Sequence, residues 1–398
     1  MEASGYTKRV TERLYYHDAY LIEFDAAVVD RADDGRRVYL DRTAFYPTSG
    51  GQPFDTGRLG EAEVVDVVDE GERIAHVLGA PIAAERLRGR IDWSRRFDHM
   101  QQHTGQHLLS AVIAERFGWE TVGVHFGRES STLDLATAGL SHEQAVEAEM
   151  LANHAVTGNR PVTVGFEQAA AATGLRKPSD RQGVIRIVTI ENLDRSACGG
   201  THVRATGEIG AILLRKVERV RHVTRLEFLC GARAVRRART DADLLAGLAA
   251  AHSAAAEELP ALLEAHRAEL KAGVAARREL EETVAGFRAR ELYVALAPDA
   301  RGRRVAILRE TEGPIERLRP LAQAFASLPG AMFVGMVERP PAILLAVAAD
   351  VGIDAGKQLK AALEAVGGRG GGNPRSAQGT IKEPAGLDAV VERVINAE

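Results

Sequence analysis

The 398-residue chain carries 51 Lys and Arg against 55 Asp and Glu, and its net charge of −4 excludes a protein that is basic overall, though not a local basic surface. Apolar residues make up 45% and charged residues 27%, which is typical of a globular protein with several domains. Two cysteines exclude a disulfide framework, and no apolar run approaches the roughly 20 residues that span a bilayer. We therefore expect a soluble, cytoplasmic protein without membrane contact. Residues 1–20 carry charges throughout and predict no secretory signal.

Residues 1–90 predict a small β-barrel domain. Short runs of β-branched and aromatic residues alternate with turns rich in glycine and aspartate, a pattern typical of small barrels and sandwiches. The strand candidates are residues 27–29, 38–40, 63–68, 74–78 and 87–91.

Residues 91–239 predict an α+β domain that begins with a helix. Apolar residues recur at three- and four-residue steps from Trp93 to about Gly118, which gives this helix one inward face. Ser141, followed three residues later by Gln144, forms a capping box that starts a second helix. Strand candidates lie at residues 122–126, 132–135, 184–190, 211–217 and 224–229.

Residues 240–298 predict a helical arm or hairpin, because Ala, Leu, Glu and Arg dominate and a partial heptad repeat is interrupted at Gly273 and Arg277. Residues 299–398 predict a last α/β domain that a glycine cluster at residues 367–372 closes. Its strand candidates are residues 304–308, 331–337 and 342–348. The pattern as a whole predicts an α+β multidomain protein.

Two pairs of residues have the spacing of metal ligands. His103 and His107 are four residues apart on the first predicted helix, so their imidazoles lie one turn apart on one face. Cys198 and His202 have the same spacing in a glycine-rich turn after a strand. Three nitrogens and one sulfur favour a single Zn²⁺ ion in tetrahedral coordination. We interpret His99, one turn before His103, as a neighbour of the ion or a substrate contact rather than a ligand.

These motifs resemble those of a known family. The segments QQHTGQHLL at residues 101–109 and CGGTHV at residues 198–203 resemble the metal-binding segments of alanyl-tRNA synthetase editing domains, and the second is shared with threonyl-tRNA synthetases. TAFYP at residues 43–47 and SGGQ at residues 49–52 resemble the barrel that precedes this domain. The glycine cluster resembles the end of a DHHA1 domain.

Taken together, the chain resembles a free-standing, long-form AlaX-type alanyl-tRNA editing protein, without the aminoacylation domain of a full synthetase. The resemblance implies an N-terminal small β-barrel, a zinc-containing α+β editing core, a helical arm and a C-terminal α/β DHHA1-like domain.

The resemblance also implies a trans-editing hydrolase that deacylates mischarged tRNA(Ala), chiefly seryl-tRNA(Ala), with glycyl-tRNA(Ala) left open as a second substrate. Serine differs from alanine by one hydroxyl, and a site whose polar groups pair with that hydroxyl can discriminate by about 10⁴-fold. Thr104, Gln102 and His125 are the candidate partners of the hydroxyl in the catalytic site.

Zinc is expected either to activate water or to orient the ester. A zinc-bound water, with its pKa lowered to about 7, would supply hydroxide at neutral pH. Four protein ligands close a tetrahedral site, so we interpret His202 as the loosest of the four. No carboxylate stands out as a general base.

Two segments are candidate contacts for tRNA. An excess of basic residues at 204–239 favours phosphate binding, although a solvated charged surface would have the same composition. The candidates are Arg215, Lys216, Arg219 and Arg221. The glycine cluster predicts either a backbone nest for phosphate or a flexible loop, with Gly370, Gly371 and Gly372 as candidates. Resemblance to DHHA1 implies binding of the tRNA elbow and a homodimer contact through the C-terminal domain.

Three other functions are consistent with part of the pattern. The CGGTHV segment alone also fits a deacylase of another mischarged tRNA, such as seryl-tRNA(Thr). The same four metal ligands also fit a zinc-stabilised dimer that binds tRNA without hydrolysing it. A DHH-type phosphoesterase is disfavoured, because the chain has no Asp-His-His triplet.

Overall fold

The structure is a computed structural model that describes residues 10–178 and 180–396, so the first nine residues of the predicted barrel domain lie outside the described residues. Part of the segment for which we expect no secretory signal, residues 1–20, therefore also lies outside the described residues. The chain forms two compact units, one ending at Leu248 and the other beginning at Ala249. In the described part of the chain, no helix is both long and apolar enough to cross a membrane.

A closed six-stranded barrel precedes the first helix. The strands before that helix are β1 (Glu12–Arg13), β2 (Glu23–Ala32), β3 (Arg37–Leu40), β4 (Arg42–Thr43), β5 (Gly57–Leu59), β6 (Ala62–Asp69), β7 (Ile74–Leu78) and β8 (Arg86–Ile91). Strands β1 and β4 pair with each other outside the barrel. The barrel follows the order β2, β3, β7, β6, β5, β8, and the predicted barrel is thereby confirmed. Buried and exposed residues alternate along β8, so its inward side chains fill the interior. The pattern did not predict β5, because its three residues include a glycine and no β-branched side chain.

One central helix and two antiparallel sheets complete the first unit. The elements are α1 (Trp93–Phe117), β9 (Thr121–Phe126), β10 (Ser131–Leu135), α2 (His142–Thr157), β11 (Val162–Gln168), β12 (Val184–Ile190), β13 (Asp194–Ala197), β14 (Ile212–Val220), β15 (Val223–Cys230) and α3 (Ala232–Ala251). The sheets have the orders β14-β15-β10-β9 and β11-β12-β13. Asp92 caps α1, Gly118 ends it with a left-handed φ of 71°, and Ser141 and Gln144 form the predicted capping box on α2. Residues 99–113 of α1 are all buried, so this helix lies at the centre of the unit.

The region predicted as an arm is helical, but its break lies elsewhere. Helix α3 ends at Ala251, and α4 (Leu259–Ala295) begins after a short turn. Helix α4 continues through Gly273 and Arg277, where the heptad repeat predicted an interruption. The end of α4 packs against the C-terminal sheet, and this packing stabilises the helix. The helix can therefore continue through one exposed glycine, which costs about 1 kcal/mol relative to alanine. The division into residues 1–90, 91–239, 240–298 and 299–398 stays a prediction.

The second unit contains a five-stranded sheet with helices on both faces. The elements are β16 (Arg304–Glu312), α5 (Arg319–Ala326), β17 (Ala331–Arg339), β18 (Pro341–Val347), α6 (Ala355–Glu364), β19 (Arg369–Gly372), β20 (Ser376–Thr380) and α7 (Leu387–Asn396). The order is β16-β17-β18-β20-β19, with β16 and β17 parallel and the other pairs antiparallel. Helices α6 and α7 pack on one face, and α5 with the end of α4 on the other.

The glycine cluster does not form the predicted nest or loop. Gly370, Gly371 and Gly372 lie in β19, an edge strand that pairs with β20. A nest requires alternating helical and left-handed residues, whereas an extended strand points successive N–H groups in opposite directions. Glycine is needed here for packing, because a Cβ on Gly370 would lie 2.5 Å from the Leu363 side chain.

A buried ion pair joins α1 to the barrel. The Arg96 and Asp55 side chains are both fully buried, and Nε of Arg96 lies 3.0 Å from each carboxylate oxygen. The guanidinium also donates to the carbonyl oxygens of Ala19 and Ala44, at 2.7 and 2.6 Å. Asp55 in turn accepts from the backbone N–H of Tyr46. Because every guanidinium nitrogen and both carboxylate oxygens are hydrogen-bonded, the pair fixes the start of α1 against the barrel.

We predict that Arg96→Met destabilises the first unit by about 3–5 kcal/mol, because it leaves the Asp55 carboxylate buried without its partner. Chemical denaturation followed by tryptophan fluorescence measures this, since Trp93 and Trp119 both lie in the first unit. Arg88→Ala, which removes an exposed arginine paired with Glu23, should leave the midpoint unchanged. Equal midpoints for Arg96→Met and the unsubstituted protein would contradict the prediction.

Candidate metal centre and adjoining cavity

Four side chains from two distant segments converge on one point. His103 and His107 come from consecutive turns of α1, and Cys198 and His202 come from the loop after β13. Their ligand atoms all lie within 4.8 Å of one another. The sulfur of Cys198 is 3.4 Å from Nε2 of His103 and 3.3 Å from Nε2 of His202. Tetrahedral zinc would hold such N and S atoms about 3.5 Å apart. The cluster could therefore hold a metal ion, and its nitrogen and sulfur donors fit zinc.

A separate partner fixes the far nitrogen of each imidazole. Nδ1 of His103 lies 2.8 Å from Oε1 of Gln52, and Nδ1 of His107 lies 2.8 Å from the Asp194 carboxylate. Nδ1 of His202 lies 3.1 Å from the Thr104 hydroxyl. When each Nδ1 donates its proton to these acceptors, each Nε2 is left with a lone pair for a metal.

The backbone around Cys198 is shaped to bring the two segments together. Arg186 on β12 donates from Nη1 to the carbonyl oxygens of Cys198 and Gly200, at 2.8 and 2.9 Å. A Cβ on Gly200 would lie 2.2 Å from the His103 ring, so a residue without a side chain is required there. On the other side of α1, a Cβ on Gly105 would lie 2.3 Å from the sulfur of Cys230. Both glycines allow contacts that larger residues would prevent.

The electrostatics favour a deprotonated sulfur. Burial raises the pKa of Cys198, but the imidazoles of His103 and His202 outweigh burial and hold it well below the ordinary 9.0. Burial lowers the pKa of His202 to about 3, which leaves that imidazole neutral. Burial also lowers the pKa of His107, but hydrogen bonds to Asp194 and Cys198 reverse this and raise it to about 9. Cys198 as a thiolate and His202 as a neutral imidazole are already in the form that binds a metal, whereas His107 must release a proton to bind one.

A cavity of about 320 Å³ adjoins the cluster. His103, His107 and Cys198 form part of its wall, and Tyr16 and Tyr46 line it from the barrel side. Arg176 and Lys177 line it from the loop before β12. Among the described residues, no carboxylate lines the cavity. The wall is polar, and its positive charge includes that of Lys177 and that of Arg176, which pairs with Asp194 at 2.6 Å.

The structure places all three predicted partners of the substrate hydroxyl away from the wall of this cavity, and their contact with the substrate stays a prediction. Gln102 is buried, and its amide exchanges two hydrogen bonds with the backbone of Cys230, at 3.0 and 2.9 Å. The Thr104 hydroxyl is engaged with His202 and with the N–H of Val203. His125 is exposed, because it points away from the strand face that carries Phe126. None of the three lines the cavity.

Two residues that the sequence analysis missed provide the polar wall instead. Gln106 and Thr121 line the cavity, and both donate to the buried hydroxyl of Ser110, each at 2.8 Å. Thr121 shares its face with Val124 because the pairing of β9 with β10 shifts register at this point, so Asp134 pairs with Gly123 and Leu135 with Thr121. A bulge of this kind has no clear signal in the sequence.

The predicted phosphate contacts on β14 and in the turn after it divide into two groups. Arg215 pairs with Asp241 at 2.8 Å, and Lys216 pairs with Glu218. Arg219 and Arg221 are exposed, and within the described ranges neither has an ion-pair partner. Their contact with RNA stays a prediction.

His99 is not part of the metal cluster. Its side chain is buried, its Nδ1 has no hydrogen-bond partner, and it lines a different cavity. Burial, with the nearby charge of Arg95, lowers its pKa to about 4.

Comparison with known proteins agrees with the resemblance of the motifs. Residues 185–226 match the model of the second additional domain of threonyl and alanyl tRNA synthetases, and residues 317–397 match the DHHA1 domain. The first match includes Cys198 and His202. The chain therefore carries a domain that is described from threonyl and alanyl tRNA synthetases.

Relatives identify the family. The chain is 38% identical over 232 residues to the alanyl-tRNA editing protein AlaX-M of Methanosarcina acetivorans, covering 52% of this chain and 94% of that protein. It is 34% identical to AlaX-L of Pyrococcus horikoshii over 57% of this chain and 59% of that protein. The chain therefore belongs to the AlaX-type family of alanyl-tRNA editing proteins.

The same chain also matches complete synthetases. It is 32% identical over 411 residues to the alanine–tRNA ligase of Pyrococcus abyssi, which covers 97% of this chain. The chain spans 43% of the length of that ligase.

We predict that Gln52→Ala weakens Zn²⁺ binding by about 10–100-fold, because His103 loses the acceptor that fixes its tautomer. Competition with a chromogenic chelator measures the affinity. Gln168→Ala, at an exposed position on β11, is the matched control and should bind zinc as the unsubstituted protein does. Equal affinity of the two variants would refute a positioning role for Gln52.

Proposed function

We propose that the chain is a trans-editing deacylase that hydrolyses the ester of seryl-tRNA(Ala). The observation that carries this proposal is the cluster of His103, His107, Cys198 and His202 beside a cavity with a polar wall. The family supports tRNA(Ala) as the substrate, because the relatives are named alanyl-tRNA editing proteins. An enzyme with this activity would work in the cytoplasm, where aminoacyl-tRNA is used.

The four clustered residues would hold one Zn²⁺ ion. When bound, zinc would supply a Lewis acid that stabilises negative charge on the ester carbonyl. The distances give no reason to regard His202 as the loosest ligand, because its Nε2 is as close to the sulfur of Cys198 as that of His103.

Hydrolysis joins a water oxygen to the carbonyl carbon of the ester and breaks the bond from that carbon to the ribose oxygen, which leaves with a proton. The chain contributes by holding the ester at the cluster and by excluding bulk water from the cavity. Lys177 on the cavity wall supplies positive charge for the phosphates that precede the terminal ribose, whereas Arg176 already pairs with Asp194 at 2.6 Å.

Selectivity for serine would come from Gln106 and Thr121. Their donors are already directed at Ser110, so Oε1 of Gln106 and the lone pairs of the Thr121 hydroxyl remain to accept a proton from the serine hydroxyl. An alanyl ester would leave these acceptors without a partner, and the loss of a buried hydrogen bond costs about 1–3 kcal/mol. Alanine is smaller than serine, so size alone cannot exclude it.

We predict that the protein deacylates seryl-tRNA(Ala) at least about 100-fold faster than alanyl-tRNA(Ala). Release of labelled amino acid from seryl-, glycyl- and alanyl-tRNA(Ala), with seryl-tRNA(Thr) as a fourth substrate, measures this. Hydrolysis of all four at one rate would refute the proposed selectivity.

We predict that Cys198→Ala loses both bound zinc and deacylase activity, the latter by about 100-fold or more, because a thiolate ligand is removed. Cys230→Ala is the matched control, since Cys230 is buried and outside the cluster. It should keep zinc and activity. A zinc-free Cys198→Ala variant with full activity would refute the metal-dependent mechanism.

We predict that Thr121→Val reduces the preference for seryl- over alanyl-tRNA(Ala) by about 10–100-fold, because one acceptor for the serine hydroxyl is lost. The ratio of the two kcat/KM values measures the preference. Thr163→Val, at an exposed position on β11, should leave the ratio unchanged. An unchanged ratio in Thr121→Val would exclude Thr121 from serine recognition.

A further inference from the structure

A second cavity in the first unit has no part in the proposed chemistry. It has a volume of about 810 Å³ and shares no lining residue with the cavity beside the metal cluster. The first two turns of α1 form one wall, and the start of α3 forms another. Pro53 lines it from the barrel, directly after Gln52, and His99 lines it one helical turn, about 5.4 Å of axis, before His103. The cavity therefore adjoins the metal cluster both through the loop that carries Gln52 and Pro53 and through helix α1.

The cavity has a strong excess of positive charge. Arg95, Arg128, Arg233 and Arg236 line it against one acidic side chain, Asp98. Asp98 is already neutralised, because Arg233 holds it with nitrogen-to-oxygen distances of 2.6–3.0 Å.

The other three guanidiniums are available to a ligand. Arg128 and Arg236 are exposed, and neither has an ion-pair partner among the described residues. Arg95 donates through Nε to the carbonyl oxygen of Phe54, at 2.9 Å. This bond fixes its guanidinium at the mouth of the cavity. Its two terminal nitrogens have no hydrogen-bond partner in the described part of the chain.

Two further features point to a ligand that is more than a simple anion. Trp93 and Phe97 line the cavity as a half-buried pair, with ring centroids 5.3 Å apart. His99 is only 5% exposed, and its Nδ1 is a buried polar atom with no hydrogen-bond partner. An unsatisfied buried nitrogen in a cavity wall is costly unless a ligand completes it. Flat aromatic rings beside guanidiniums are the combination that binds single-stranded nucleic acid, by stacking of bases and pairing with phosphates.

We propose that this cavity binds one nucleotide of a single-stranded RNA segment, with its phosphate among Arg95, Arg128 and Arg236 and its base against Trp93 and Phe97. The inference rests on the proposed function in one respect, namely that the RNA is the acylated end of the tRNA substrate. A nucleotide bound here would hold the strand so that its terminal ribose reaches the cavity beside Cys198.

Nucleotide binding can be tested without catalysis. The chain has two tryptophans, so Trp119→Phe leaves Trp93 as the single reporter of the cavity. Titration of this variant with AMP should quench Trp93 fluorescence, with affinity about tenfold or more above that for adenosine or inorganic phosphate. Arg95→Ala in the same background should abolish quenching by AMP. No quenching by millimolar AMP would overturn the proposal, and equal affinity for inorganic phosphate would overturn the nucleotide assignment.

The role in substrate binding has its own readout. Arg236→Ala should weaken tRNA(Ala) binding and raise KM about tenfold, with the change in KM rather than in kcat, and should reduce the salt dependence of log Kd by about one. Arg116→Ala removes an exposed arginine on the same helix that pairs with Glu147, and it should change neither quantity. An unchanged Kd and salt dependence in Arg236→Ala would overturn the assignment of this cavity to RNA.

The two proposals fail in different ways. If no aminoacyl-tRNA is hydrolysed but AMP still quenches Trp93 and Arg236 still governs tRNA binding, the proposed enzymatic function is wrong and the nucleotide site stands. If seryl-tRNA(Ala) is hydrolysed with the same KM in all arginine variants, the enzyme stands and the nucleotide site is wrong.

Discussion

The metal centre depends on the hydrogen bond that each imidazole makes through Nδ1, on the side of the ring that faces away from Cys198. An imidazole can offer one nitrogen to a metal only when the other carries the proton, and a neighbouring acceptor decides which nitrogen that is. Gln52, Thr104 and Asp194 act as those acceptors from the barrel, from α1 and from β13. The barrel, the helix and the sheet must therefore all be in place before three Nε2 atoms can face one sulfur.

The two cavities of the first unit divide recognition between them. The smaller one, beside the cluster, has a wall of hydroxyl and amide groups and suits the amino acid and its ester. The larger one is lined by arginines and aromatic rings and suits the polynucleotide. In the proposed function, binding of the polynucleotide and selection of the amino acid would use different residues, so that affinity for tRNA could be high without loss of discrimination between serine and alanine.

Patterns that depend on a single segment were predictable, and contacts between segments were not. The period of α1, the longer barrel strands and both four-residue ligand spacings follow from local sequence. Gln102 and Thr104 each adjoin His103 in sequence, but their side chains point elsewhere, because each step along a helix turns the side chain by about 100°. Gln52 and Asp194 lie 51 and 87 residues from the imidazoles that they hold, so no local pattern connects them. The role of Thr121 depends on a bulge that repeated alternation does not predict.

The hydrogen bonds of Gln52 have a thermodynamic consequence. Its amide contacts His103 and also donates to the Thr201 hydroxyl at 2.8 Å, so one barrel residue joins both ligand-bearing segments. Linkage is reciprocal: if docking of the barrel raises metal affinity, metal occupancy stabilises the docked barrel by the same free energy. Metal depletion should therefore loosen the attachment of a domain that provides no ligand of its own.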